Sequence, residues 1–244
     1  MKVKNILQSI AHRPYSLPLG NWSFYQEWNN ALFMHWKIPA DDLREIVPAQ
    51  LAIDEFEGSA WVSLVPFTME KIRPRFLPHW AFVSNFHEIN LRTYVTHNGR
   101  PSVYFINIEG HKHISVFLSK ALSGLPYGKA LVSRSKKEKL HTYISNNKIK
   151  NFSLAAEYEI DEQPYTKTLL DKFLTERYCL YLDKGNNLYR YDTHHEEWKL
   201  HGVHMKSLKL QYKIGALNIT DKKPDLVNYS EGVKVVAWQK VKLK

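Results

Sequence analysis

Alternating apolar and polar positions run along most of the chain and predict a protein built mainly of β-strands. One run, residues 59–72, is apolar at both odd and even positions, which is typical of a strand buried on both faces. Pro66 within that run predicts a bulge or an edge position. Short helical patterns occur at 39–43, 114–122 and 169–174. We therefore predict a single domain, residues 1–244, in which a barrel or strongly curved sheet carries short peripheral helices.

The clearest single element is a β-hairpin over residues 86–110, turning at Asn98-Gly99. That dipeptide favours a type I′ turn because both central residues need positive φ. Pairing the flanking runs about this turn gives an apolar face: Ile89 opposite Ile108, Leu91 opposite Ile106 and Thr93 opposite Tyr104. The other face carries Glu88 opposite Glu109, Asn90 opposite Asn107, Arg92 opposite Phe105 and Tyr94 opposite Val103.

Two carboxylates that face each other across a strand pair repel. Glu88 and Glu109 are therefore expected to need a nearby cation, a shared proton or water, and Arg92 on the same face is the candidate cation. This concentration of carboxylates and amides predicts that the face lines a cavity. A solvated sheet face is the alternative interpretation.

Composition restricts the class of protein further. Cys179 is the only cysteine, so no internal disulfide forms, and a reducing location follows. No apolar run is long enough to cross a bilayer, and the first residues lack the apolar core of a signal peptide. We expect a cytoplasmic protein without a membrane partner.

The net charge of +10 permits contact with nucleic acid but does not require it. The basic residues are spread along the chain and form no basic helix, zinc-finger spacing or RNA-binding aromatic motif. Solvated charge is the favoured interpretation, and nucleic acid is not expected as a partner.

The twelve histidines raise the question of a metal, with His111 and His113 as the best pair. No HExxH or CxxC motif accompanies them, so we expect no metal. Phosphate-binding glycine loops and the G-x-S-x-G nucleophile motif are also lacking, and we expect no cofactor. Cys179 lies in an apolar strand pattern and is expected to be a buried thiol.

Two clusters combine aromatic and polar residues. Residues 33–36 place Phe33 and His35 on one strand face. Residues 175–178 precede one predicted strand, and residues 194–198 follow the next. Ion pairs that seal the end of the fold are the favoured interpretation of the second cluster.

Taken together, these segments resemble the YqjF-like proteins, a bacterial family of unknown function in the acetoacetate decarboxylase-like superfamily. The matching segments are 33–36, 65–67, 86–95, 124–127 and 175–178, followed by His195 and Trp198. The resemblance implies a strongly bent β-sheet closing into a barrel around a cavity, with short helices outside. Relatives in that superfamily oligomerise, so the resemblance is compatible with a homo-oligomer.

In acetoacetate decarboxylase a lysine forms a Schiff base with a β-keto acid, and a neighbouring lysine lowers its pKa. That pair follows a Gly-Phe-Pro segment. Here the similar segment is 124–126, and Tyr127 and Gly128 come next in place of the lysines. Lys129 comes two positions late and shares the strand face of Tyr127. The departure argues against Schiff-base decarboxylation.

The first functional hypothesis is an enzyme that binds a small carbonyl or carboxylate compound in the cavity. Arg92 is predicted to anchor the ligand, and Glu88 or Glu109 to act as general acid or base. Tyr127 is a third candidate catalytic group, and His35 supplies a further hydrogen bond. The other predicted ligand-binding residues are Asn90, Tyr94, Phe105, Asn107 and Lys129.

The second hypothesis is a non-catalytic ligand-binding or sensor protein that uses the same cavity. It is motivated by the missing lysine pair and by the lack of a recognised catalytic motif. The sequence does not choose between these hypotheses, nor among decarboxylation, hydrolysis and isomerisation.

Overall fold

The computed structural model describes residues 3–79, 84–110, 127–184 and 187–243. Its helices are α1 (Val3–Gln8), α2 (Ala40–Arg44) and α3 (Leu169–Thr175). The first eight strands are β1 (Phe24–Ile38), β2 (Ala52–Ile53), β3 (Ala60–Pro74), β4 (Phe86–His97), β5 (Arg100–Gly110), β6 (Tyr127–Lys129), β7 (Leu131–Lys137) and β8 (Leu140–Asn147). The others are β9 (Phe152–Ile160), β10 (Cys179–Lys184), β11 (Asn187–His195), β12 (His201–Gln211), β13 (Lys213–Ile214), β14 (Leu217–Asn218), β15 (Leu226–Ala237) and β16 (Val241–Lys242). The predicted mainly β fold with short helices is confirmed.

One large sheet bends around a central cavity. Its strand order is β16-β11-β10-β5-β4-β3-β1-β15-β12-β9-β8-β7, with β2 beside β4 and β6 beside β5. A further pairing of β11 with β15 closes this part of the sheet into a ring of strands. Strands β12, β9, β8 and β7 continue beyond that closure. The fold is therefore a bent sheet around a cavity rather than a simple barrel.

Strand β3 is buried on both faces, as its apolar pattern predicted. Val62 and Leu64 pack in the larger core on the outer side of the bend, whereas Val65 and Phe67 pack on the cavity side. The pairing of β3 with β1 is irregular between Asn29 and Met34, the stretch of β1 that faces Pro66. The bulge predicted at this proline is confirmed.

The hairpin turn is confirmed, but the predicted register is wrong beyond its middle. Asn98 and Gly99 have φ of 51° and 72°. Arg92 pairs with Phe105 as predicted, but the register then shifts by one residue, and Glu88 pairs with Gly110. Glu109 pairs with Ile89, so the two carboxylates do not face each other.

A bulge in β5 causes the shift, because Ile106 has no partner on β4. The side chains of β5 that line the cavity are accordingly Val103, Phe105 and then Ile108. The bulge turns Ile108 inward, and it sends Asn107 and Glu109 to the opposite face, where Ser145 and Asn147 of β8 donate to Glu109.

The helices predicted at 39–43 and 169–174 are confirmed as α2 and α3. Helix α2 follows Pro39, and α3 begins at a capping box formed by Thr168 and Asp171. The helix predicted at 114–122 lies outside the described residues. In the described part of the chain, no helix combines the length and apolar character that crossing a membrane requires.

Candidate functional site

A cavity of about 90 Å³ lies inside the bend of the sheet. Most of its wall is aromatic or aliphatic. The aromatic lining residues are Phe24, Trp28, Phe33, Phe67, Phe105, Tyr191, Trp198 and Trp238. The charged and amide side chains in the lining are Gln26, Glu88, Asn90, Arg92, Arg177 and His195. A small apolar chamber with a few converging polar groups is the usual form of a ligand site.

Strand β4 supplies the polar face predicted from the sequence. Glu88, Asn90 and Arg92 line the cavity with exposed fractions of 3%, 7% and 9%. Phe105 lies opposite Arg92 and lines the same wall. The alternative of a solvated sheet face is therefore wrong for these residues.

Arg92 is the charge whose burial most needs an explanation. Its Nη2 donates to the carbonyl oxygen of Leu174 at 3.1 Å, and its guanidinium lies 5.8 Å from the Phe33 ring centre. Leu174 lies in the last turn of α3, so its carbonyl offers only the partial negative charge of a helix end. Among the residues that the structure describes, Arg92 forms no ion pair, and its Nε has no hydrogen-bond partner.

A hydrogen-bond chain lies behind Arg92. His35 Nδ1 donates to Ser63 Oγ at 2.5 Å, Ser63 Oγ donates to the Tyr94 hydroxyl at 2.5 Å, and Tyr94 donates to Leu174 O at 2.8 Å. Burial, reinforced by the charge of Arg92, holds the pKa of His35 well below its usual value. His35 and Tyr94 are not among the residues that line the cavity. They fix the carbonyl that holds Arg92.

The other predicted site residues whose side chains the structure describes are not brought to the cavity. Asn107 and Glu109 lie on the opposite face of β5, because the bulge at Ile106 shifts the register of β5 by one residue. Lys129 is exposed. The side chain of Tyr127 lies outside the described residues, although its backbone pairs with Ile108 in β6.

Sequence reasoning missed the wall opposite β4. There Trp28, Tyr191 and His195 line the cavity. Trp28 Nε1, Tyr191 Oη and His195 Nε2 are buried and have no hydrogen-bond partner in the described part of the structure. Residues 194–198 gave a signal, but they were interpreted as an ion pair. Ion pairs do occur beside them, such as Lys167 with Glu176. Only the pairing of β11 with β15 brings His195 around to face the hairpin.

The histidine pair 111/113 and Cys179 were the other groups considered from the sequence, and Cys179 is among the residues that line the cavity. His111 and His113 lie outside the described residues. Among the described ones, no group of three or more candidate metal-ligating side chains occurs. Cys179 is buried as predicted and accepts a hydrogen bond from the Tyr15 hydroxyl at 3.3 Å.

The first residues of the chain pack on the end of β11. His194 Nε2 donates to the carbonyl oxygen of Ile6 at 2.8 Å, and Arg13 Nη1 donates to His194 Nδ1 at 3.0 Å. Both ring nitrogens are thus used by a neutral imidazole. Burial lowers the pKa of His194 to about 4, and the neighbouring charges of Arg13, His195 and His12 act in the same direction.

We expect acid to destabilise this packing. The unfolded His194 titrates near its usual pKa of about 6.5, so the unfolded chain takes up the proton first as the pH falls. The stability contributed by neutral His194 is complete above that value and is lost as the pH falls towards about 4. Urea unfolding at pH 7, 6 and 5 should show a steeper loss in the wild type than in His194→Gln. Equal pH slopes would contradict this.

The comparisons with known proteins agree with this geometry. The family DUF2071, described as an uncharacterized conserved protein, matches residues 25–234. The uncharacterized protein YqjF of Bacillus subtilis (strain 168) is 35% identical over 227 residues, which are 91% of this chain and 93% of that protein.

Solved structures share this fold, and they include an acetoacetate decarboxylase and an acetoacetate decarboxylase-like enzyme. An acetoacetate decarboxylase-like enzyme from Sphingomonas wittichii RW1 has a TM-score of 0.63 at 11% identity, covering 96% of this chain and 98% of that one. Acetoacetate decarboxylase from Legionella pneumophila gives 0.64 at 13%, covering 98% and 95%. The enduracididine biosynthesis enzyme MppR complexed with pyruvate gives 0.62 at 12%, covering 95% and 93%. At such identities these likenesses show the fold alone.

Proposed function

The chain belongs to the DUF2071 family of uncharacterised conserved proteins, and on that premise we propose that its cavity binds a small carbonyl or carboxylate compound and transforms it by acid–base chemistry. The observation that carries this proposal is Arg92. A guanidinium buried without an anion is costly, and a bound carboxylate or polarised carbonyl oxygen is the natural partner for its unused donor.

Glu88 is the proposed proton-transfer group. It lies on the same cavity wall as Arg92, with Asn90 between them on β4. A carboxyl group in a largely apolar chamber can exchange a proton with a ligand whose anionic end is fixed elsewhere. Turnover of an identified substrate should fall in Glu88→Gln while binding remains, and unchanged turnover would remove Glu88 from this role.

A lysine Schiff base is not part of the proposal. No lysine is found among the described residues that line the cavity, and Lys129 is exposed. We therefore expect borohydride treatment with pyruvate present to leave the protein mass unchanged. A mass increase from a reduced pyruvate adduct would favour Schiff-base chemistry instead.

Binding itself is tested with pyruvate and acetoacetate, small carboxylates chosen because MppR is seen with pyruvate and the fold is that of acetoacetate decarboxylase. A charge-assisted hydrogen bond is worth about 1.5–3 kcal/mol, so Arg92→Met should raise Kd by roughly 10- to 100-fold. Isothermal titration or ligand-observed NMR measures the change.

Two control variants show whether a loss of affinity in Arg92→Met comes from the missing guanidinium. Arg92→Lys keeps the charge and should retain part of the affinity, whereas Arg44→Met removes an exposed arginine outside the cavity lining and should change nothing. Failure of the wild type to bind either acid, or equal affinity in wild type and Arg92→Met, would contradict the proposal.

A further inference from the structure

His195 is the cavity group whose bonding is left incomplete. It is fully buried at the end of β11 and lines the cavity. Nδ1 donates to the carbonyl oxygen of Glu196 at 2.7 Å, which leaves Nε2 as the nitrogen with the lone pair. Nε2 has no partner among the described residues. An unsatisfied buried acceptor costs about 1–3 kcal/mol. The hydrogen bond of Nδ1 is explained by a structural role, whereas the burial of an unpartnered Nε2 is not.

Aromatic contacts connect His195 to Arg92 across the cavity. The Phe33 ring lies 5.8 Å from the Arg92 guanidinium and 5.1 Å from the Trp198 ring, which in turn lies 5.6 Å from His195. Both polar groups line one chamber of about 90 Å³. The reaction proposed below requires one acid to contact both groups, and the small volume of the chamber favours an acid of a few heavy atoms.

The surroundings of His195 suit proton transfer. Glu176 accepts a hydrogen bond from the Tyr178 hydroxyl at 2.5 Å and one from the Trp198 backbone N–H at 3.1 Å, which hold its carboxylate in place. Its negative charge favours the imidazolium, whereas burial and the charges of His12 and Arg13 lower the pKa of His195 overall. The ring thus rests neutral, with a carboxylate placed to stabilise the charged form.

Resting on the proposed function, we propose that His195 Nε2 is a catalytic base that takes a proton from the carbon next to the carbonyl group of a short-chain 2-oxo acid held by Arg92. In this step the C–H bond breaks and its electron pair forms a carbon–carbon double bond. The carbonyl π pair moves to oxygen, giving an enolate, and Nε2 receives the proton. The reverse step returns a proton to carbon.

Donors for the enolate oxygen also line the chamber. Trp28 Nε1–H and the Tyr191 hydroxyl have no partner among the described residues, and the Trp28 ring lies 5.9 Å from His195. Fixed donors in an apolar chamber stabilise developing negative charge more strongly than water does. The chamber therefore holds a base, an anion anchor and donors for the oxygen.

Exchange of the pyruvate methyl protons for deuterium in D2O tests this step. Each enolisation followed by return of a deuteron reduces the methyl signal in proton NMR. We expect the wild type to accelerate the exchange above a protein-free blank. A positioned base contributes about 100-fold or more, so His195→Gln should lose at least that much of the acceleration while Kd for pyruvate stays within a few-fold.

The variants separate the possible outcomes. His201→Gln, on β12 and outside the cavity lining, should exchange like the wild type. Phenylpyruvate adds a phenyl ring to the same 2-oxo acid, and we expect it to bind and exchange more weakly than pyruvate because the chamber is small. Exchange in His195→Gln at the wild-type rate, or pyruvate binding without exchange in the wild type, would overturn the assignment of His195 and leave the proposed function standing. Absence of binding in the wild type would overturn both.

Discussion

Replacing Glu109 with alanine is expected to cost about 3–5 kcal/mol of unfolding free energy, because several buried donors lose their acceptor and each donor left unsatisfied costs about 1–3 kcal/mol. Glu109 is fully buried on the outer face of the sheet. Its carboxylate accepts hydrogen bonds from the Tyr212 hydroxyl at 2.8 Å and from Asn147 Nδ2 at 3.0 Å. Weaker contacts come from Asn107 Nδ2 at 3.3 Å and Ser145 Oγ at 3.4 Å.

The loss is large because four donors, on β5, on β8 and at residue 212, lose one acceptor together. Burial, aided by Glu109, already holds the pKa of Tyr212 well above its usual value, so its hydroxyl stays protonated and donates. Glu109→Gln keeps one acceptor oxygen and should lose less. Glu159→Ala removes the half-buried partner of a surface ion pair with Lys206 and should stay within about 0.5 kcal/mol. Urea unfolding that shows a similar small loss for Glu109→Ala would contradict this.

Replacing Gly232 with alanine is expected to cost about 3–5 kcal/mol, the sum of a left-handed backbone penalty and overpacking against a strand. Gly232 has φ of 138° in β15 and pairs with Asn29 of β1. A Cβ there would lie 2.4 Å from the carbonyl oxygen of Trp28 and 2.8 Å from the Cα of Asn29. Backbone atoms must therefore move.

A matched glycine separates the two causes. Gly58 also has positive φ, at 73°, but an added Cβ would meet nothing within 4 Å. Gly58→Ala should therefore cost only the backbone penalty of about 1–2 kcal/mol. Since Trp28 lines the cavity, Gly232→Ala should also weaken pyruvate binding, and Gly58→Ala should not. Equal unfolding free energies for the two alanine variants would show that β1 accommodates the added methyl.

The sequence predicted the parts of the fold that depend on neighbours along the chain. The Asn98-Gly99 turn follows from the backbone preference of two residues, and α3 begins at the capping box of Thr168 and Asp171. Burial of β3 on both faces follows from apolar residues at both odd and even positions, such as Trp61, Val62, Leu64 and Val65. These signals are local, so they needed no knowledge of the partner strands.

The sequence predicted the β4 wall of the candidate site but not the positions of the residues that follow the bulge in β5. Glu88, Asn90 and Arg92 share one face of β4 by strand alternation alone, and that face does line the cavity. Glu109 was placed wrongly because strand alternation does not reveal the bulge at Ile106. The hydrogen-bond partners of Glu109 on the other face, Asn147 of β8 and Tyr212, are distant in sequence. A one-residue shift sends every later side chain to the other face.

The position of His195 in the cavity could not be predicted from the sequence. Local order gave the aromatic neighbours of His195 but placed it after the strand, whereas it is the last residue of β11. Nothing local indicates that β11 pairs with β15 and so closes the sheet opposite β4. The sequence by itself determined the strands, the turn and the polar face that carries Arg92, because these follow from backbone preference and from alternation. Only the tertiary structure decided which residues meet that face, because the pairing of distant strands and a single bulge set the second wall of the cavity.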